Sequence, residues 1–165
     1  MEKAIIFDLD GTLINSLGDI HVALNKVLAM RGATPLNLAT VRGFIGKGSA
    51  NLVTRALNAQ KLPDDANSCA AGLSEFFHHT TCGDQLSSCK PNPKILYRAM
   101  AALGTDSCLF VGNSEVDRHT ATAACQPFAL FTKGYRKTSI EGLSHEYYFE
   151  EFCLLPVIAE AAFYA

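Results

Sequence analysis

A chain of 165 residues, 48% hydrophobic and 18% charged, has the apolar content of one packed domain, or of one domain with an insert, and excludes a disordered protein. Its formal net charge of −2 excludes the basic footprint of a nucleic-acid binder and a polybasic membrane patch, but not a small anionic substrate, because local charge governs that. The acidic second residue argues against a secretion signal, nothing approaches the roughly 18 apolar residues of a membrane span, and the six cysteines show no CxxC spacing, so a cytoplasmic chain with reduced thiols is expected.

Ala4-Ile5-Ile6-Phe7-Asp8-Leu9 is an apolar run that ends in acid and glycine, the pattern of a parallel-sheet strand buried on both faces. Asp10-Gly11-Thr12 then turns the chain. Ser16, with Asp19 three residues on, predicts a capping box. Ile20, Ala23, Leu24, Val27 and Leu28 form the buried stripe of the helix after it, and Gly32 closes that helix. Further helices are predicted over about 38–44, around Leu52 to Leu57, and over 66–77, so residues 16–81 read as an all-helical block. His78 and His79 near Cys82 are a weak zinc candidate.

Residues 83–89 read as polar loop. Lys90-Pro91-Asn92-Pro93 leads into a helix with Leu96, Ala99, Met100 and Leu103 on one face and Gly104 as its stop. Cys108 to Gly112 predicts a second buried strand, and Ser114 with Asp117 the start of a helix reaching about Ala124. Strands are predicted over 127–131 and 147–149, and a closing helix over 154–163. Strands alternating with helices predict an α/β fold with a parallel, Rossmann-like sheet. The helical block interrupts it after the first strand, giving an α/β core of residues 1–15 and 82–165 and an inserted helical cap of 16–81.

Asp8 and Asp10 lie at the carboxyl end of the first strand, where ligands of open α/β sheets bind. Alternation puts both on one side, and two carboxylates facing the same space repel unless a proton or a cation separates them. A hard, oxygen-liganded ion such as Mg²⁺ relieves this and also holds a phosphate.

Phe7-Asp8-Leu9-Asp10-Gly11-Thr12-Leu13 resembles the first motif of the haloacid-dehalogenase-like hydrolases, in the version carried by phosphatases and mutases. The resemblance implies that Asp8 is a nucleophile forming an aspartyl-phosphate, that Asp10 is the acid and base, and that Thr12 contacts the substrate. Lys90-Pro91 resembles the third motif, whose lysine neutralises the nucleophile and the transferring phosphoryl group. Val111-Gly112-Asn113-Ser114-Glu115-Val116-Asp117 resembles the fourth, a metal-binding loop, with Asn113 where the family usually has aspartate. A metal set of Asp8, Asp10, Asn113 and Asp117 is implied, with lowered affinity because asparagine offers a carbonyl oxygen without the charge. Residues 41–48 resemble the cap loop of phosphoglycolate-phosphatase-like members, which makes Arg42 and Lys47 substrate-binding candidates.

One part of the family pattern is missing. Between the cap and Lys90 the family has a strand ending in a phosphate-binding serine or threonine, then a helix and a further strand. Residues 76–90 leave no room for such a unit, which takes about 30 residues or more, and Thr80 or Thr81, neither of which ends a plausible strand, would have to stand in for the hydroxyl. Without those strands, the first strand is expected to stand at an open sheet edge.

The expected function is a Mg²⁺-dependent phosphatase of a small phosphorylated metabolite similar to 2-phosphoglycolate, working as a monomer or homodimer without nucleic acid or membrane. The alternative is a weakened or inactive protein on the same scaffold that binds phosphate esters or a partner without turnover.

Overall fold

The apolar runs pair into one parallel sheet of four strands, in the order β1 (Ala4–Phe7), β2 (Cys108–Gly112), β3 (Phe128–Phe131) and β4 (Tyr147–Phe149). The computed structural model describes residues 3–45, 49–61 and 89–164. The register sets Phe7 beside Val111, Gly112 beside Leu130, and Phe131 beside Phe149. All four strands run the same way, so their carboxyl ends share one margin of the sheet, and Asp8, Asn113 and Thr132 leave the sheet there.

The chain divides into two compact units, Met1–Asn15 with Ser88–Ala165, and Ser16–Ser87. In the first, side chains alternate across the sheet as a pleated strand requires. Cys108, Phe110, Phe128 and Leu130 face Leu96 and Met100 of α4 (Lys94–Ala102) and Ala121 of α5 (Glu115–Ala123). Leu109, Val111, Ala129 and Phe149 face Leu155 and Ala159 of α6 (Leu155–Tyr164), which a 3₁₀ turn, Phe152–Leu154, introduces. The core is therefore a sheet covered on both faces by helices, as the alternation of elements predicts.

β2 is buried at all five positions, whereas β1 is only half-buried at all four. The sequence predicts β1 to be buried on both faces. The difference is one of position: among the described residues β1 pairs with β2 alone and forms the sheet edge, as expected for a chain lacking the intervening strands.

The second unit contains α1 (Leu17–Met30), α2 (Leu38–Arg42) and α3 (Ser49–Ala59), with Leu24, Leu28, Val41, Val53, Ala56 and Leu57 at its centre. Asn25 pins the chain after α1: its side chain accepts from the Leu36 N–H at 2.8 Å and donates to the Leu36 carbonyl at 2.9 Å. The capping box predicted at Ser16 does not form. Ser16 has helical backbone angles (φ −83°, ψ −2°) and makes no side-chain cap bond, because capping needs the extended conformation that aims the hydroxyl at the first turn. Ser114 does have that conformation, and the box with Asp117 is complete. The helix predicted over 66–77, the His78, His79 and Cys82 group, and Thr80 and Thr81 lie outside the described residues. Among the described residues no helix is long and apolar enough to cross a membrane.

Candidate active site

Three strand ends and one helix entry build a single cluster, all within the unit of Met1–Asn15 and Ser88–Ala165. Asp8 continues the β1 ladder by one residue, its N–H donating to the Val111 carbonyl at 2.8 Å. The chain then curls around the Leu9 carbonyl, which accepts from the N–H groups of Thr12, Leu13 and Ile14. This turn needs Gly11 at φ +85°, a backbone conformation that L side chains rarely adopt. A Cβ there would also lie 2.6 Å from the Tyr135 ring.

Lys90 reaches the cluster from the loop before α4. Its ammonium donates to Asp8 Oδ1 at 2.5 Å and to Asp117 Oδ1 at 2.7 Å. Asp117 sits in the first turn of α5 and is buried. Its other oxygen accepts from Ser114 Oγ (2.6 Å), Ser114 N (3.1 Å) and Asn113 N (3.2 Å). The capping box of α5 therefore also fixes the carboxylate that faces Lys90. Gly112 permits this: a Cβ there would lie 2.5 Å from that of Asp117.

Asn113, 2% exposed, links the remaining parts. Its Nδ2 donates to Asp8 Oδ2 at 3.1 Å, to the Asp10 backbone oxygen at 2.9 Å and to Thr12 Oγ1 at 2.9 Å. Its Oδ1 accepts from the Tyr135 N–H at 3.0 Å.

One ammonium thus serves two carboxylates. Burial opposes the charge on Lys90, yet Asp117 and Asp8 outweigh it and hold the lysine protonated above its ordinary 10.5. Burial, reinforced by Asp117, raises the Asp8 carboxyl above its ordinary 3.8 more than Lys90 lowers it. The cluster presents a fixed positive group beside a carboxylate at the carboxyl margin of the sheet, a pairing suited to nucleophilic attack on an electron-poor centre that carries anionic oxygens.

Of the residues singled out from the sequence, Asp8, Thr12, Lys90, Asn113 and Asp117 meet here, and Asp10 joins through its backbone oxygen while being exposed overall. Arg42 ends α2 of the second unit and is exposed, and Lys47 lies outside the described residues. The sequence reading missed Gly112, Gly134 and Tyr135. A glycine three residues beyond the third strand end was the available signal, since Gly134 lets the chain pass so close that a Cβ would lie 2.2 Å from that of Asn113.

The oxygens of Asp8 and Asp10 suit a hard divalent cation. Asn113, as oriented, does not, because it turns N–H groups toward those same oxygens. Asp117 spends both of its oxygens on protein donors. Among the described residues no group of three or more His, Cys, Asp or Glu is placed to hold a metal ion.

The haloacid dehalogenase-like hydrolase family matches residues 5–71. The phosphoglycolate phosphatase of Rhodobacter capsulatus is 32% identical over 214 residues, covering 97% of this chain and 98% of that protein. That of Cereibacter sphaeroides strain ATCC 17029 is 34% identical over 207 residues, covering 92% and 95%. An alignment of 214 residues against a chain of 165 sets about 50 positions of the relative opposite nothing, more than the strand–helix–strand unit expected to be missing. Among solved structures, one from Haemophilus somnus, described as a predicted phosphoglycolate phosphatase, superposes with a TM-score of 0.81 at 21% identity over 94% of this chain and 96% of that one. CbbY from Rhodobacter sphaeroides in complex with phosphate gives 0.78 at 17% identity, covering 94% and 96%. At these identities the two structures establish the shared fold.

Proposed function

Since the chain belongs to the haloacid dehalogenase-like hydrolases, we propose that it is a phosphoric monoester hydrolase acting on a small phosphorylated metabolite, of which 2-phosphoglycolate is the first to test. The observation that carries this reading is the Lys90 ammonium between Asp8 and Asp117 at the carboxyl margin of the sheet. The relatives named phosphoglycolate phosphatase support the substrate class.

In this proposal an Asp8 oxygen attacks phosphorus and the bond from phosphorus to the ester oxygen breaks. The departing alkoxide takes a proton from the Asp10 carboxyl. Asp10, now a carboxylate, accepts a proton from water as the water oxygen attacks the phosphoryl group, which frees Asp8 and releases inorganic phosphate. Lys90 balances the charge that gathers on the phosphoryl oxygens. Thr12 holds Asp8 Oδ2 at 3.4 Å while receiving a bond from Asn113. Arg42 and Lys47 enter as substrate-binding residues from the sequence resemblance alone.

Haloacid-dehalogenase-like phosphatases generally use Mg²⁺. Oxygens of Asp8 and Asp10 would hold it here, and it would supply positive charge at the phosphoryl group. Asn113 does not fit it as oriented, since its amide hydrogens face the oxygens of Asp8 and Asp10.

The test is turnover of p-nitrophenyl phosphate and 2-phosphoglycolate against Asp8→Asn, with intact mass spectrometry of quenched enzyme. Turnover that Asp8→Asn abolishes, with a species heavier by one phosphoryl group, supports the proposal. Equal rates in both proteins sink it. The second reading, binding without turnover, is favoured by the asparagine at 113. It predicts saturable binding of the ester by both proteins and hydrolysis by neither.

A further inference from the structure

The side-chain nitrogen of Asn113 has two hydrogens and three oxygen neighbours, from Asp8, Asp10 and Thr12, at 2.9 to 3.1 Å. Three oxygens gathered about one point, one of them a carboxylate oxygen, form the surroundings that proteins give a hard cation. At this point the positive end of an amide takes the cation's place. The amide cannot reverse without loss. Its Oδ1 accepts from the part-buried Tyr135 N–H, and turning it round would set donor against donor there and lose that bond. Gly134 holds Tyr135 in that position, because its backbone passes Asn113 more closely than any residue with a Cβ could.

We propose that the Asn113 amide takes over the structural role of a divalent cation, drawing Asp8, Asp10 and Thr12 together so that the site keeps its geometry without an ion and no longer recruits one. The proposal rests on reading Asp8 and Lys90 as the reacting centre. It adds that the amide replaces the cation's geometry but only a fraction of its charge, which lowers turnover while leaving the fold of the site intact. A carboxylate at 113 would reverse both effects: it would repel Asp8 in the absence of an ion and bind one when it is supplied.

The experiment compares the full chain with Asn113→Asp, measuring Mn²⁺ affinity by electron paramagnetic resonance and Tm in EDTA and in Mg²⁺. The expected result is Mn²⁺ affinity weaker by about tenfold or more in the unsubstituted chain, on the scale by which ligand charge tunes such sites. Its Tm should be the same in EDTA and Mg²⁺, while that of Asn113→Asp falls in EDTA and recovers in Mg²⁺. Comparable Mn²⁺ affinity in the two proteins overturns the proposal. Absence of Mn²⁺ binding by both also overturns it, since Asn113 would then not be what stands in the ion's place.

If Asn113→Asp does not fold, the unsubstituted chain decides by NMR with asparagine-selective labelling. Slowly exchanging Asn113 amide signals that stay put in millimolar Mg²⁺ support the proposal, and signals that shift or broaden overturn it. Neither measurement reads phosphate chemistry. A chain that hydrolyses no ester would sink the phosphatase reading and leave the metal comparison standing.

Discussion

The backbone N–H of Tyr135 donates to Oδ1 of Asn113 at 3.0 Å, and this one bond sets which end of the amide faces Asp8. The two residues come from different strand ends, β3 and β2, and meet only because Gly134 lets the chain close in.

Gly134→Ala is therefore expected to force these strand ends apart. Overpacking of this kind costs about 1–3 kcal/mol. Chemical denaturation should show a loss of that size, together with loss of ester hydrolysis or binding. Gly142→Ala, whose added Cβ would meet nothing closer than 3.5 Å, serves as the control and should change neither.

Asp8→Asn should abolish turnover and yet raise Tm at neutral pH. The sign comes from the raised pKa of Asp8. Burial and Asp117 disfavour the carboxylate in the folded chain, so the stability linked to Asp8 is fully present below its ordinary 3.8 and is lost as pH rises through the folded value. The neutral side chain avoids that loss. The gain should vanish in acid, where Asp8 of the unsubstituted protein is itself protonated.

Lys90→Met leaves Asp8 and Asp117 facing each other without their shared cation. Removing one partner of a buried pair costs about 3–5 kcal/mol, and the lower end applies here because the lysine side chain keeps 23% of its exposure. Combining it with Asp8→Asn should restore part of that loss, since only Asp117 would remain charged. A double-mutant cycle in denaturant measures the coupling.

Cys108 provides an internal clock for opening of the core. Burial pushes its thiol up to about 11, whereas Cys89, Cys125 and Cys153 are exposed. Among these four, a disulfide reagent should label the three exposed thiols under native conditions and reach Cys108 only as the core opens. The contribution of Cys108 to stability is intact below the ordinary thiol value of 9.0 and declines as pH rises toward about 11. Cys108→Ala should flatten that part of the pH–stability curve.

The first three strands were legible because four or five consecutive apolar residues bounded by turns leave little choice, as at Cys108 to Gly112. Asp8, Lys90 and Asp117 were legible because each sits where an element begins or ends, with a motif around it. A serine with an aspartate three residues on marked a helix start correctly at Ser114, where a capping box also forms, but predicted a capping box at Ser16 that does not form. The same residue pattern occurs at both, and only the backbone conformation at each serine, extended at Ser114 and helical at Ser16, separates them. The burial of β1 was over-read from its composition, because exposure depends on neighbours that composition does not reveal. Tyr135 was invisible for a different reason: its role belongs to its main-chain N–H, which every residue but proline possesses.

The pairing of Ala4 with Cys108 spans more than a hundred residues of chain, whereas β2, α5 and β3 succeed one another directly. Contacts between sequence neighbours close small loops and form cheaply, while a distant strand must wait for its receiving surface. β1 is thus among the last elements to find its place, and, paired among the described residues along one side only, it can leave while β2, α5 and β3 stay together. Asp8 travels with it. Mild denaturant should therefore silence the chemistry while most of the sheet is still assembled, making catalysis the earliest reporter of this protein's unravelling.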